Sequence, residues 1–88
     1  MNERHAYLDR VQQLLSSLSR HLTEAEVKEV QHLIDHGEPA EGMRSLAWII
    51  VEGRKRVPRE AIITLKELAS DLIEKRHMPT GLDDCVQD

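Results

Sequence analysis

The sequence predicts an all-α domain built as a bundle of about four helices. Two observations carry that expectation. Apolar residues recur at three- and four-residue steps in four successive segments, the spacing of a helix that buries one face. The composition agrees: Leu, Glu and Arg are frequent, Gly and Pro few, and Tyr7 and Trp48 are the only aromatic residues. A core of Leu, Ile, Val and Ala suits packed helices, whereas sheet sandwiches lean on aromatic and β-branched side chains. At 88 residues the chain has room for one domain, and a domain of that size buries about 60–65% of the surface its unfolded chain would expose.

The first helix is expected over about residues 2–20, with Tyr7, Leu8, Val11, Leu14, Leu15 and Leu18 as its inner stripe. The second, over about 24–36, opens on Thr23-Glu24-Ala25-Glu26, a capping box in which hydroxyl and carboxylate each satisfy a free backbone N–H. Val27, Val30, Leu33 and Ile34 face inward, and Gly37 ends the helix because it takes the left-handed conformation without steric cost. Pro39 starts the third helix, about 39–52, at a position where its missing N–H breaks no bond. Met43, Leu46, Ala47, Ile50 and Val51 form its inner face. Trp48 and Ile49 widen that face until it covers most of the circumference, which makes this the most central helix. Gly53 is expected to stop it. Pro58 opens the fourth helix, about 58–77, along Ile62, Leu65, Leu68, Ala69, Leu72 and Ile73. Pro79 and Gly81 end regular structure. Residues 1–78 are thus read as one helical domain and 79–88 as a short, flexible, acidic tail.

The net charge of −4 is unevenly spread. From Glu24 to Gly42 six carboxylates and one lysine give −5, while Met43 to Glu60 returns +3. An acidic block of this kind suits a basic partner and repels nucleic acid from its face. The longest apolar run, Leu46–Val51, falls well short of the roughly 18–20 residues of a membrane span, and the first residues lack the apolar block of a signal peptide. One cysteine, Cys85, allows no internal disulfide. The expected compartment is the cytoplasm.

Each chemical constellation has a plainer reading beside it. His32 and His36, one turn apart with Asp35 between them, could grip zinc or nickel. They lack the glutamate of a metalloprotease helix and a third ligand, so they read as solvated histidines, and no metal or cofactor is expected. Ser16, Ser17, Ser19, Ser45 and Ser70 lie in or beside helices, with no strained turn to present a nucleophile. Cys85 lies among acids in the tail, a poor setting for a nucleophile. The chain is therefore not expected to be an enzyme. Arg54, Lys55, Arg56 and Arg59 form the one basic cluster and could hold phosphates. A recognition helix, however, must offer polar side chains to base edges, and Leu46–Val51 offers none. Trp48 and Ile49 could also meet across a homodimer.

The acidic surface says most. With 27, 30 and 34 inward, the outward face of the second helix carries Glu24, Lys28, Glu29, His32, Asp35 and His36, and Glu38 and Glu41 extend it past the turn. Across this region the chain carries Leu33-Ile34-Asp35-His36-Gly37-Glu38-Pro39, then Leu46-Ala47, Glu52, Val57-Pro58-Arg59-Glu60 and Leu68-Ala69. In these residues, and in the leading leucine-spaced helix, it resembles the MafI family of immunity proteins, which bacteria make against secreted polymorphic toxins. Contact-dependent growth inhibition immunity proteins include similar small helical members. Gly42, where family members tend to carry Ala, and the heavy basic loop at Arg54–Arg56 depart from the pattern.

The resemblance implies inhibition by tight binding rather than chemistry. Such a protein pairs one-to-one with its cognate toxin and covers the active site or substrate-binding surface. Many such toxins are nucleases with basic clefts, which an acidic face would occupy as a phosphate backbone does. Surface position, not the resemblance, nominates Glu24, Glu29, His32, Asp35, His36, Glu38 and Glu41 as contacts. The runner-up is a helical adaptor that binds nucleic acid through Arg54, Lys55, Arg56 and Arg59.

Overall fold

Four helices form where the apolar spacing places them. The computed structural model describes residues 3–70 and 72–87. The expected helix start at Asn2, Asp71 within the expected fourth helix, and the end of the tail at Asp88 lie outside the described residues. Helix α1 runs Glu3–Leu18 and tightens into one 3-10 turn, Ser19–His21; α2 runs Glu24–Asp35, α3 Pro39–Glu52 and α4 Arg59–Ser70. None of them is long and apolar enough to cross a membrane.

Helix α3 is the centre. Its Met43, Leu46, Ala47 and Ile50 are wholly shielded from solvent, and it packs against α1, α2 and α4. Val11, Leu14, Leu15 and Leu18 of α1, Val30 and Ile34 of α2, and Ile62, Leu65 and Leu68 of α4 close around it. The capping box of α2 is formed in full: Thr23 Oγ1 accepts from the Glu26 N–H at 3.1 Å, and the Glu26 carboxylate accepts from the Thr23 N–H at 2.8 Å. A reciprocal amide pair, Gln12 with Gln31 at 2.8 and 2.9 Å, joins α1 to α2.

Helix α4 is shorter than its apolar periodicity suggests. It ends at Ser70, not at 77. The reason lies at its C-terminal carbonyls, which a helix leaves unpaired. Tyr7 of α1 donates its hydroxyl to the Leu68 carbonyl at 2.7 Å, and Leu72 and Ile73 both turn their N–H groups onto Ala69. Partial burial in this position raises the pKa of the Tyr7 phenol. Leu72, expected inside, is 58% exposed, while Ile73 stays buried. The chain then folds back through a 3-10 turn, Lys75–His77. Trp48 Nε1 and Arg44 Nε, both on α3, donate to the His77 carbonyl at 2.9 and 3.3 Å.

The segment read as a flexible tail is the clearest correction. Residues 79–87 lie against the bundle. Leu82 and Cys85, in a 3-10 turn Leu82–Cys85, and Val86 are buried against the core. A two-residue strand β1, Val57–Pro58, pairs in parallel with β2, Val86–Gln87, in the register Val57 to Val86. Lys66 of α4 meets Asp83 at 2.6 Å, and the Cys85 thiol donates to the carbonyls of Ile50 and Gly81 at 3.8 and 3.6 Å. Pro58, lacking an N–H, sits at the end of this edge pairing rather than inside α4. Pro79, Gly81 and the acidity that follows suggested a solvated tail, but the spacing Leu82, Cys85, Val86 supplies an apolar side that the α3–α4 corner covers.

Gly42 lies buried where α2 and α3 approach. A Cβ there would stand 3.4 Å from Ile34 Cγ1 and 3.5 Å from the Val30 carbonyl, ordinary contact distances. Gly42→Ala therefore gains helix propensity at no steric cost and is expected to stabilise the fold by about 0.5–1 kcal/mol. A higher midpoint in urea unfolding checks it, and a lower midpoint would show that the α2–α3 contact has no slack.

Candidate functional site

The outward face of α2 is built by exclusion. Val30 and Ile34 turn to the core, so positions 24, 28, 29, 32, 35 and 36 share the opposite half of the helix. Their charges are not equivalent. Glu24 pairs with Lys28 at 3.1 Å, and Glu41 pairs with Arg44 at 3.1 Å. Among the described residues Glu29, Asp35 and Glu38 form no ion pair. Glu29 accepts a hydrogen bond from the Ser45 hydroxyl at 3.3 Å, and Asp35 accepts one from Gln31 at 2.9 Å. Both carboxylates are thereby oriented without a cation beside them among the described residues. Glu38 is the N-cap residue of α3 but makes no capping bond with its side chain, so its carboxylate stays in solvent.

His32 and His36 lie ring against ring, centroids 4.0 Å apart and tilted by 37°. His36 Nδ1 is 2.8 Å from the His32 carbonyl. A carbonyl only accepts, so in this contact Nδ1 is the donor. No group of three or more His, Cys, Asp or Glu side chains that could hold a metal ion occurs among the described residues.

The Ser45–Glu29 bond carries the face across to α3, where Glu41, Ser45, Trp48 and Glu52 follow at helical steps. Trp48 is 37% exposed, and its indole is held by the bond to His77. The surface is therefore an acidic helix face continued on α3 by an oriented aromatic ring, with Glu52 on one side of it and Arg44 on the other. Sequence reasoning placed Trp48 in a possible homodimer contact and passed over Glu52 as a surface residue. The signal for both was their shared spacing with Glu41 and Ser45. Glu38 also borders a separate cleft of about 640 Å³ with Tyr7, Pro39, Leu68 and Leu72.

The basic cluster divides. Lys55 reaches Glu26 at 2.8 Å, and the two side chains are only 16% and 27% exposed. This ties the end of α3 to the capping box of α2. Arg59 is engaged as well. Of the four cations read as one phosphate-binding group, Arg54 and Arg56 alone form no ion pair among the described residues.

Comparison with protein-family models, with curated proteins and with solved structures finds no match to this chain.

The Lys55 side chain, then the Thr23 N–H, hold the Glu26 carboxyl below its ordinary 4.5 by hydrogen bonding to its charged form, against a smaller desolvation effect. A depressed carboxylate contributes stability that is present above the unfolded value and lost as pH falls through the folded one. Glu26→Gln keeps the capping geometry but removes the charge. It is expected to cost about 0.5–1 kcal/mol at neutral pH. It should also flatten the loss of stability below about pH 4.5. Urea midpoints measured from neutral pH downward test this, and an unchanged acid slope would show that the Glu26–Lys55 pair contributes nothing.

Proposed function

We propose that this protein is an immunity protein, one that binds a cognate bacterial toxin and neutralises it by covering the active site or substrate-binding surface. The observation that carries the reading is the surface of α2 and α3. Glu29, Asp35 and Glu38 are exposed and form no ion pair among the described residues, and Ser45, bonded to Glu29, stands one turn from Trp48 on α3. Carboxylates without cations of their own are available to a basic partner, and charge complementarity speeds encounter and selects the partner. A half-exposed Trp with a fixed ring supplies the apolar centre that binding energy concentrates on. The resemblance of Leu33–Pro39 and Val57–Glu60 to MafI-type immunity proteins supports the same reading. A basic nuclease domain is the partner the charge favours, in a one-to-one complex within the cytoplasm of the producing cell. The protein acts by occupying a surface, without chemistry of its own.

The nucleic-acid adaptor reading relied on four cations, and two of them are engaged within the fold. A homodimer through Trp48 would use the same surface as the toxin, so the two states would compete.

The decisive experiment co-expresses the tagged chain with the reading frame immediately upstream in its native locus. A stable one-to-one complex, with that neighbour toxic when expressed alone, is the expected result. No complex and no toxicity would overturn the reading. Within such a complex, Glu29→Lys with Asp35→Lys should weaken binding by roughly 2 kcal/mol or more, mostly through slower association and a reduced salt dependence. The far-ultraviolet spectrum and unfolding midpoint should stay close to wild type. Unchanged affinity would move the interface off α2 while leaving the toxin partnership intact.

A further inference from the structure

Two helices of this chain end in the same backbone motif with different residues at its critical position. After α2, Gly37 takes the left-handed conformation at φ 79°, with Gly37 N–H on the Ile34 carbonyl and Glu38 N–H on that of Leu33. After α3 the same pair of bonds forms, from Arg54 to Val51 and from Lys55 to Ile50. Here the left-handed residue is Arg54, at φ 50°. Gly53, expected to stop the helix, stands one residue earlier with an ordinary backbone, φ −81°. It is needed for another reason: a Cβ on it would stand 2.8 Å from the Ile49 carbonyl. An L-residue in the left-handed region carries strain that Gly would not. The fold itself therefore gains nothing from an arginine at 54.

The arginine's surroundings suggest what it is kept for. Arg54, Lys55 and Arg56 border a cleft of about 330 Å³ whose other walls are Val51, Gly81, Asp84 and Cys85. Lys55 is turned to Glu26, which leaves two guanidinium groups without ion pairs among the described residues at one small opening. Two arginines lining one cleft offer donors to the oxygens of a phosphate group through charge-assisted hydrogen bonds. A track along a nucleic-acid strand would require more contacts than two. Asp84, on the same cleft, can accept a hydrogen bond from a hydroxyl group.

We propose that the Arg54–Arg56 cleft is a binding site for a small phosphate monoester that also carries hydroxyl groups, a mononucleotide or sugar phosphate. The site shares no residue with the acidic α2–α3 surface and does not depend on the toxin-binding reading. The backbone strain at Arg54 is maintained because the guanidinium is required there.

Isothermal titration calorimetry of the full chain with adenosine monophosphate, inorganic phosphate and a short single-stranded RNA tests the proposal, together with thermal unfolding of Arg54→Gly and Arg56→Gln. Saturable binding of the monophosphate is expected, tighter than inorganic phosphate and than the RNA per molecule. Arg54→Gly should melt at a higher temperature than wild type while losing at least about tenfold in affinity, the scale of one charge-assisted contact. Arg56→Gln should lose a similar factor without the gain in melting temperature. Absence of saturable binding by all three probes would overturn the site. So would an Arg54→Gly variant that melts higher and binds unchanged. Tighter binding of the RNA, with a steep salt dependence, would replace the small-ligand assignment with a strand.

Discussion

Everything in this fold is arranged around the burial of α3. A helix whose Met43, Leu46, Ala47 and Ile50 have no access to water cannot be covered by two neighbours alone. α1, α2 and α4 each contribute one apolar stripe, and the remaining gap at the α3–α4 corner is filled by the chain end, Leu82, Cys85 and Val86. For a domain this small, leaving that corner open would expose Val57 and Ile50, two of its fully buried side chains. The hydrophobic effect thus accounts for the folded tail as directly as for the bundle.

The helix ends do the rest of the work of specification. α2 begins on a complete capping box that is braced from outside by Lys55. α4 stops where Tyr7 takes the Leu68 carbonyl. The Ile50 carbonyl at the end of α3 accepts both the Lys55 N–H and the Cys85 thiol. Apart from the local Lys55 N–H bond, each of these is a contact between distant parts of the sequence made at a terminus where backbone groups are unpaired. In this way polar obligations set the lengths of the elements, and apolar stripes set only their faces.

That division explains what could be read from the residues in advance. The four helices and their first turns were legible, because Thr23, Pro39 and the apolar spacing act locally. The exposure of Glu24, Glu29, His32, Asp35, His36 and Glu38 followed from the same helical geometry. The end of α4 was not legible, since Leu72 and Ile73 continue the period and only Tyr7, more than sixty residues away, interrupts it. Nor was the fate of Lys55, because nothing in Arg54-Lys55-Arg56 distinguishes the one side chain whose partner is Glu26. The acidic face was visible as composition. Its division into paired and unpaired carboxylates depends on Ser45, Arg44 and Gln31, which only the packed helices bring into reach. Trp48 was read as widening the inner face of α3, whereas it is 37% exposed, because the His77 carbonyl that its indole meets is brought there by the turn after α4.

The manner in which the chain end is held has a kinetic consequence. Beyond the burial of Leu82, Cys85 and Val86, a two-residue ladder, one ion pair and weak thiol bonds secure it among the described residues. Segments held by few contacts open locally at a lower free energy than the whole molecule. Cys85, the only thiol of the chain, is buried at that seam. Its rate of reaction with an alkylating reagent consequently counts how often the corner of the bundle comes undone while the helices remain folded.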